Sequence, residues 1–120
     1  MLGIVLDRPD TDVANWLSRQ GCTTAALLTA CNPGAVPQTG PVNAQRCAAL
    51  EAWLRAEGFR FVPAEGAAAD RSWVEPSVCV PGMDARDAAE CARRFGQLAW
   101  LQIDASGAAT LCYGSCEPEE

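Results

Sequence analysis

The chain lacks two residue types that carry much of enzyme chemistry. Its 120 residues contain no lysine and no histidine, and all nine basic side chains are arginine. Without histidine there is no Ser-His-Asp triad, no Cys-His pair and no zinc site of mixed cysteine and histidine ligands. Without lysine there is no Schiff base and no phosphate-binding P-loop. Carboxylates, arginine, cysteine thiols, the single tyrosine Tyr113 and backbone dipoles remain for any chemistry.

Positive charge and long apolar runs are also scarce. The formal net charge is −6, whereas binding to nucleic acid or to an anionic membrane surface needs a basic face. No stretch of the sequence approaches the ~20 apolar residues of a membrane span. The apolar run within residues 1–7 is too short for a signal peptide and has no basic region before it. We therefore expect a cytoplasmic protein without nucleic-acid or membrane partners.

The seven cysteines follow no recognisable metal or disulfide pattern. Their number is odd, and no Cys-x-x-Cys pair occurs. Cys79 lies between two valines and Cys91 lies on the apolar side of a predicted helix, so we interpret both as core residues. Cys112 and Cys116 are close in sequence, but two thiolates fill only half of a tetrahedral site. We therefore predict no metal and no cofactor.

Periodicity and end signals divide the chain into strands and helices. Three helices are predicted over residues 9–20, 43–57 and 84–95. A proline or an aspartate begins or shortly precedes each of them, and a glycine follows each. In the third helix Asp84 is the predicted N-cap and Asp87 occupies the third helical position. Six strands are predicted at residues 3–7, 23–31, 59–62, 73–80, 97–103 and 108–113.

The order of these elements predicts the fold class. From residue 23 it reads strand, helix, strand, strand, helix, strand, which is the split β-α-β pattern of ferredoxin-like folds. We therefore predict a single α+β domain over residues 1–115, with a ferredoxin-like core, an N-terminal strand-helix extension and a C-terminal strand. Residues 116–120 are predicted to be a frayed acidic tail.

This fold would bring polar residues from several elements to one end of the sheet. Right-handed crossovers make the strands that flank a helix parallel, so their ends meet at the same edge. The residues expected to gather there are Asn32, Asn43, Arg46, Glu65, Glu75 and Gln97. Each of them also has a structural explanation as a turn residue, a helix cap, an ion-pair partner or a hydrogen-bond partner of the backbone.

Several short motifs resemble a bacterial family, domain of unknown function 3293. They are LTACNP at 28–33, NAQR at 43–46, ALE at 49–51, PAEG at 63–66, EPS at 75–77 and FGQ at 95–97. The resemblance covers about residues 3–113. It implies the domain and the positions of its motifs, and it implies no reaction.

Two hypotheses place chemistry at the polar end of the sheet. The first, which we favour, is a small-molecule binding or regulatory module in which Asn32, Asn43 and Arg46 hold an anionic or amide-bearing metabolite at a helix N-terminus. The second is an enzyme in which Glu65 and Glu75 act as an acid–base pair or bind a hard cation such as Mg²⁺.

A third hypothesis needs no small molecule. The chain would then be a protein-interaction or homodimerisation module that uses an exposed sheet edge or an apolar patch. Its candidate anchors are the four tryptophans Trp16, Trp53, Trp73 and Trp100.

Overall fold

A computed structural model describes residues 2–5, 9–31, 36–67, 70–72 and 74–113. Its helices are α1 (Thr11–Arg19), α2 (Gly40–Ala56) and α3 (Ala85–Arg94). Its strands are β1 (Leu2–Val5), β2 (Ala25–Leu28), β3 (Val62–Ala67), β4 (Val74–Pro81), β5 (Ala99–Ile103) and β6 (Ala109–Tyr113). The predicted tail at 116–120 and the predicted site residue Asn32 lie outside the described residues, as do Cys116 and Trp73.

Helices α1 and α3 begin at aspartate caps, which satisfy N–H groups that have no partner within the helix. The Asp10 carboxylate accepts a hydrogen bond of 3.2 Å from the backbone N of Val13. The Asp84 carboxylate accepts one of 2.9 Å from the backbone N of Asp87. The cap predicted at Asp84 is therefore confirmed.

Helix α2 begins one turn earlier than the sequence pattern predicts. Its N-cap is Thr39, whose hydroxyl accepts from the backbone N of Val42 at 3.3 Å, and Pro41 occupies the first turn. The predicted start at Asn43 thus lies inside the helix. A proline fits the first turn because the N–H that it lacks would have no helical partner there.

All six strands form one mixed sheet in the order β1-β3-β4-β2-β5-β6. Strand β1 is parallel to β3, and every other pairing is antiparallel. Because β2 is antiparallel to both β4 and β5, and β3 is antiparallel to β4, strands β2 and β3 end where β4 and β5 begin. We call this end of the sheet the polar end.

Helices cover both faces of the sheet, and alternation along each strand assigns side chains to one face or the other. On the α1 face, Val13 and Leu17 of α1 pack on sheet residues that include Ala25, Leu27, Ala64, Cys79, Leu101 and Ile103. On the α2–α3 face, residues of both helices pack on Ala26, Leu28, Val78, Val80 and Trp100. Cys79 and Cys91 are buried in these two layers, which confirms their interpretation as core residues.

The prediction of a ferredoxin-like split β-α-β fold is wrong. The sheet is a curled half-barrel of six strands, because β1 adds parallel to β3 at one edge and β6 adds to β5 at the other. The helix α1 that precedes the predicted core packs on the face opposite α2 and α3. The order of elements along the chain does not specify which edge accepts an added strand, and this is the information that the prediction lacked.

Strand β3 lies further along the chain than predicted. The predicted strand ends at Val62, where the actual strand begins, and Pro63 and Gly66 lie inside it. Both residues are poor strand formers. Pairing overrides this preference: β4 pairs with the whole of β3, whereas β1 pairs only from Ala64 onward. Among the residues of β1 that the structure describes, none pairs with Pro63, so no hydrogen bond from its missing N–H is required there.

Candidate functional site

A cavity of about 440 Å³ lies at the polar end of the α1 face. Alternation along the strands directs side chains of β2, β4, β5 and β6 into it. Its apolar lining includes Leu27, Leu98, Leu101 and Leu111, and its polar lining among the described residues consists of Thr29, Glu75, Ser77 and Gln97, with Cys31 beside them. An apolar cavity of this volume with a few convergent polar groups is the usual form of a small-molecule site.

The cavity exists because α1 covers only the far half of this face. The backbone N of Asp10 donates to the carbonyl of Ser106 at 3.1 Å in the turn after β5. Cys22, beyond the other end of α1, lies next to Gly82, which follows β4. Both anchors lie opposite the polar end, so α1 crosses the strands there. A helix is ~10 Å wide and the eight residues of β4 span ~27 Å, so the polar half stays uncovered.

The mouth of the cavity is apolar and exposed. Leu98 and Leu111 line it with 60% and 39% of their surface exposed. Exposed apolar side chains next to a cavity are a common feature of binding surfaces.

Glu75 is the charged group of the cavity. Its side chain is half-buried, and this burial raises the pKa of its carboxyl above the ordinary value. Within the described part of the chain it has no hydrogen-bond or ion-pair partner. Its cross-strand neighbour on β3 is Gly66, which has no side chain and leaves space beside the carboxylate. A partly desolvated carboxylate without a partner costs folding free energy, and it is typical of a group that meets a ligand.

The hydroxyl groups of the cavity are already used. The Thr29 hydroxyl donates to the Pro76 carbonyl at 3.0 Å and accepts from the backbone N of Cys31 at 3.1 Å. The Ser77 hydroxyl donates to the Glu75 carbonyl at 3.1 Å. Neither hydroxyl proton is therefore directed at the cavity.

Gln97 presents an acceptor in the cavity. Its Nε2 donates to the Cys31 carbonyl at 2.8 Å, which fixes the orientation of the side-chain amide. Its Oε1 makes no hydrogen bond to any residue that the structure describes. The two polar groups left to meet a ligand, the Glu75 carboxylate and this carbonyl, are thus both acceptors.

Arg46 lies away from the cavity and connects three segments of the backbone. Its Nε donates to the Ala30 carbonyl after β2 at 2.8 Å, and its Nη2 donates to the Phe95 carbonyl at the end of α3. The guanidinium of Arg46 is thus hydrogen-bonded to two backbone carbonyls and joins α2 to the segments after β2 and α3. We call this arrangement the Arg46 clamp, and we assign Arg46 a structural role.

Glu65 and Asn43, the other predicted residues that the structure describes, also lie outside the cavity. Glu65 alternates onto the α2–α3 face and forms an ion pair of 3.3 Å with Arg71. Glu65 and Glu75 therefore lie on opposite faces of the sheet and do not face each other. Asn43 is in α2, where its Nδ2 donates to the Gln38 carbonyl at 3.5 Å. Of the predicted set, the structure brings Glu75 and Gln97 together at one cavity.

Sequence reasoning missed the other lining residues. Ser77 could have been found, because it lies two positions after Glu75 in the same strand and must share its face. Leu98 and Leu111 could not, because their relation to β4 depends on the order of strands in the sheet.

A second, more open groove carries positive charge. It lies at the far end of the sheet, is lined in part by Phe59, Arg60 and Phe61, and has a volume of about 610 Å³. Arg55 on its wall is 3.5 Å from Glu51, and Arg60 donates to Gln20 at 3.2 Å. Its polar groups thus pair with one another, unlike Glu75.

Among residues 2–5, 9–31, 36–67, 70–72 and 74–113, no three or more cysteine, aspartate or glutamate side chains are grouped as metal ligands. In the same residues no helix combines the length and the apolar character needed to cross a bilayer.

A comparison with models of protein families shows to which family this chain is related. A family model described as "Protein of unknown function (DUF3293)" matches residues 28–100, more than half of the 120 residues. The chain belongs to this family. The resemblance found in the sequence motifs is therefore confirmed. Neither a curated protein nor a solved structure matches the chain.

The DUF3293 match contains every polar side chain that lines the described part of the cavity. It runs from the last residue of β2 to the second residue of β5, and so includes Thr29, Glu75, Ser77 and Gln97. Helix α1, which covers the other half of this face, and Leu111 of β6 lie outside the matched residues.

Proposed function

We propose that this protein is a small-molecule binding module, and that its ligand has an apolar body and a nitrogen that carries hydrogens, as in an amine or an amide. The observation that carries the proposal is the half-buried Glu75 carboxylate, which lies in an apolar cavity without a partner among the described residues.

The polar chemistry of the cavity selects the ligand class. Its two open polar groups, the Glu75 carboxylate and the Gln97 carbonyl, both accept hydrogen bonds. A protonated amine donates up to three hydrogen bonds and neutralises the carboxylate, whereas an amide N–H donates without a charge. A carboxylate ligand would instead be repelled by Glu75, since no basic side chain lines the described part of the cavity. Of the two ligand types expected from the sequence, the proposal therefore keeps the amide-bearing metabolite and drops the anionic one.

The apolar surface supplies the rest of the affinity. At ~30 Å³ per water molecule, 440 Å³ holds about fifteen waters, which is room for a small branched or aromatic amine. Covering the exposed leucines at the mouth contributes ~25 cal/mol for each Å² of apolar surface removed from water.

The test is a set of ligands that share one carbon skeleton. The compounds 3-methylbutan-1-amine, 3-methylbutanamide and 3-methylbutanoate, with the corresponding phenylethyl series, are titrated into the protein by calorimetry or by ligand-observed NMR. We expect binding of amines, weaker binding of amides and none of the carboxylates. Failure of every amine and amide to bind, or a preference for the carboxylates, would refute the proposal.

A pair of matched variants assigns the binding to the cavity. Glu75→Gln removes the charge from the cavity, and Glu65→Gln removes a half-buried carboxylate from the opposite face. A hydrogen bond to a charged group contributes about 1.5–3 kcal/mol, so Glu75→Gln should weaken amine binding about 10- to 100-fold. Glu65→Gln should leave it unchanged. Equal affinities in both variants would contradict the assignment.

The other two hypotheses have less support. A two-carboxylate mechanism needs its carboxylates on one side of a substrate site, whereas Glu65 and Glu75 lie on opposite faces. Trp100 is buried, and Trp16 and Trp53 pack against the two cores. A homodimer stays a prediction that light scattering on the purified protein would test.

A further inference from the structure

Two cysteine thiols lie against each other next to the cavity. The sulfur atoms of Cys31 and Cys47 are 3.4 Å apart. Cys31 follows β2 and is buried, whereas Cys47 lies on α2 and is partly exposed. Cys47 also lines a small cavity of about 180 Å³ on the α2–α3 face, through which a reagent can approach its sulfur.

Hydrogen bonds next to each cysteine hold the two backbone segments that carry the thiols in place. Arg46, adjacent to Cys47, donates through Nε to the carbonyl of Ala30, adjacent to Cys31, at 2.8 Å. The carbonyl of Cys31 accepts from Gln97, which fixes the other side of the segment. A disulfide needs its sulfurs ~2.05 Å apart, so closing the bond requires a movement of about 1.4 Å. Side-chain rotation can supply this while the backbone bonds stay in place.

We propose that Cys31 and Cys47 form a reversible disulfide, and that a low-molecular-weight disulfide of the glutathione class is the oxidant. The more exposed Cys47 loses its proton, and its thiolate attacks one sulfur of the oxidant. This forms a mixed disulfide and releases one thiolate of the reagent. The Cys31 thiolate then attacks the Cys47 sulfur, forms the protein disulfide and releases the second. The two cysteines are oxidised, one reagent disulfide is reduced to two thiols, and the two protein protons go to those thiols.

The surroundings of Cys47 make the first step slow. Burial, followed by the hydrogen bond and the electrostatic interaction with Cys31, raises the pKa of Cys47 to about 11. Glu51, the other titratable residue of the small cavity, raises this pKa as well. Only the thiolate attacks, so exchange at neutral pH is expected to take hours and to become faster as the pH rises.

The experiment maps the disulfide in the intact protein. The reduced protein is incubated with oxidised glutathione, remaining thiols are alkylated, and peptides are identified by mass spectrometry before and after dithiothreitol. We expect a peptide cross-linked between Cys31 and Cys47 that the reductant removes. The melting temperature of the oxidised protein should rise by several degrees, because the bond closes a loop of about fifteen residues.

Matched variants decide the result. In Cys31→Ser, Cys47 should accumulate the mixed disulfide with glutathione and go no further, and in Cys47→Ser the cross-link should disappear. Cys22→Ser removes another partly exposed cysteine and should leave the cross-link unchanged. Unmodified Cys31 and Cys47 at every glutathione ratio, or cross-links through other cysteines instead, would overturn the proposal. No ligand is needed, so this outcome does not depend on the proposed function.

Discussion

The structural assignment of Arg46 predicts a large loss of stability when its side chain is removed. Arg46→Ala deletes two hydrogen bonds from a charged donor to backbone carbonyls, one to Ala30 and one to Phe95. Such bonds contribute about 1.5–3 kcal/mol each. Because the side chain is only partly buried, we take the lower end and expect a loss of about 3 kcal/mol in the free energy of unfolding. For a chain of this length that corresponds to a fall of about 12 °C in melting temperature.

Urea unfolding followed by tryptophan fluorescence measures this loss, and Arg55→Ala in the same helix is the matched control. Arg55 is exposed and forms an ion pair of 3.5 Å with Glu51, which is worth at most about 1 kcal/mol. Arg46→Lys keeps the charge but not the planar fork, so it should restore no more than about half of the loss. A cost below about 1 kcal/mol for Arg46→Ala, or one equal to that of Arg55→Ala, would refute the clamp.

Three further predictions concern the cavity and its boundary. Since burial raises the pKa of Glu75, the folded state favours its protonated form, and the associated stability is present at low pH and lost as the pH rises above about 4.5. The stability of Glu75→Gln relative to the natural chain should therefore increase from pH 4 to pH 7 in urea titrations, and a gap that is constant or shrinks would contradict this. Gly107→Ala should cost more than about 3 kcal/mol, because a Cβ at Gly107 would lie 2.1 Å from the Asp10 carbonyl at φ +82°. The control Gly21→Ala, at φ +74° with nothing within 4 Å, should cost only about 1 kcal/mol. Equal melting temperatures of the Gly107→Ala and Gly21→Ala variants would show that the close contact between Gly107 and the N-terminus of α1 is absent. Gly66→Val should fill the space beside Glu75 and abolish amine binding in calorimetry, whereas retained affinity would place the ligand elsewhere.

The helices were largely predictable because their signals are local. Asp84 caps α3 through a bond to Asp87, three residues away, so a short window of sequence contains all the information. The strand β3 was harder, because Pro63 and Gly66 oppose strand formation and only pairing with β4 and β1 stabilises it. The half-barrel was harder still, because the positions of β1 and β6 depend on which edges of the sheet are free.

The sequence was sufficient to predict at which end of the sheet the candidate site lies. It was not sufficient to predict on which face of the sheet each site residue lies. Strand directions alone bring Glu65 and Glu75 to the same end, and the structure has both there. Which face each carboxylate occupies depends on a one-residue offset in the register, where Glu75 pairs with Gly66 rather than with Glu65. The partners of Arg46 are carbonyls of segments 16 and 49 residues away, and no spacing rule identifies them.

The position of α1 separates the packed core of the fold from the proposed binding site. The cavity is an uncovered part of a sheet whose core is complete without it, rather than a hole inside that core. Side chains at its mouth therefore contact solvent when no ligand is bound, and changing them removes few interactions on which the fold depends. Under the proposed function, substitutions at the polar end would therefore change the ligand that binds while the melting temperature stays nearly constant.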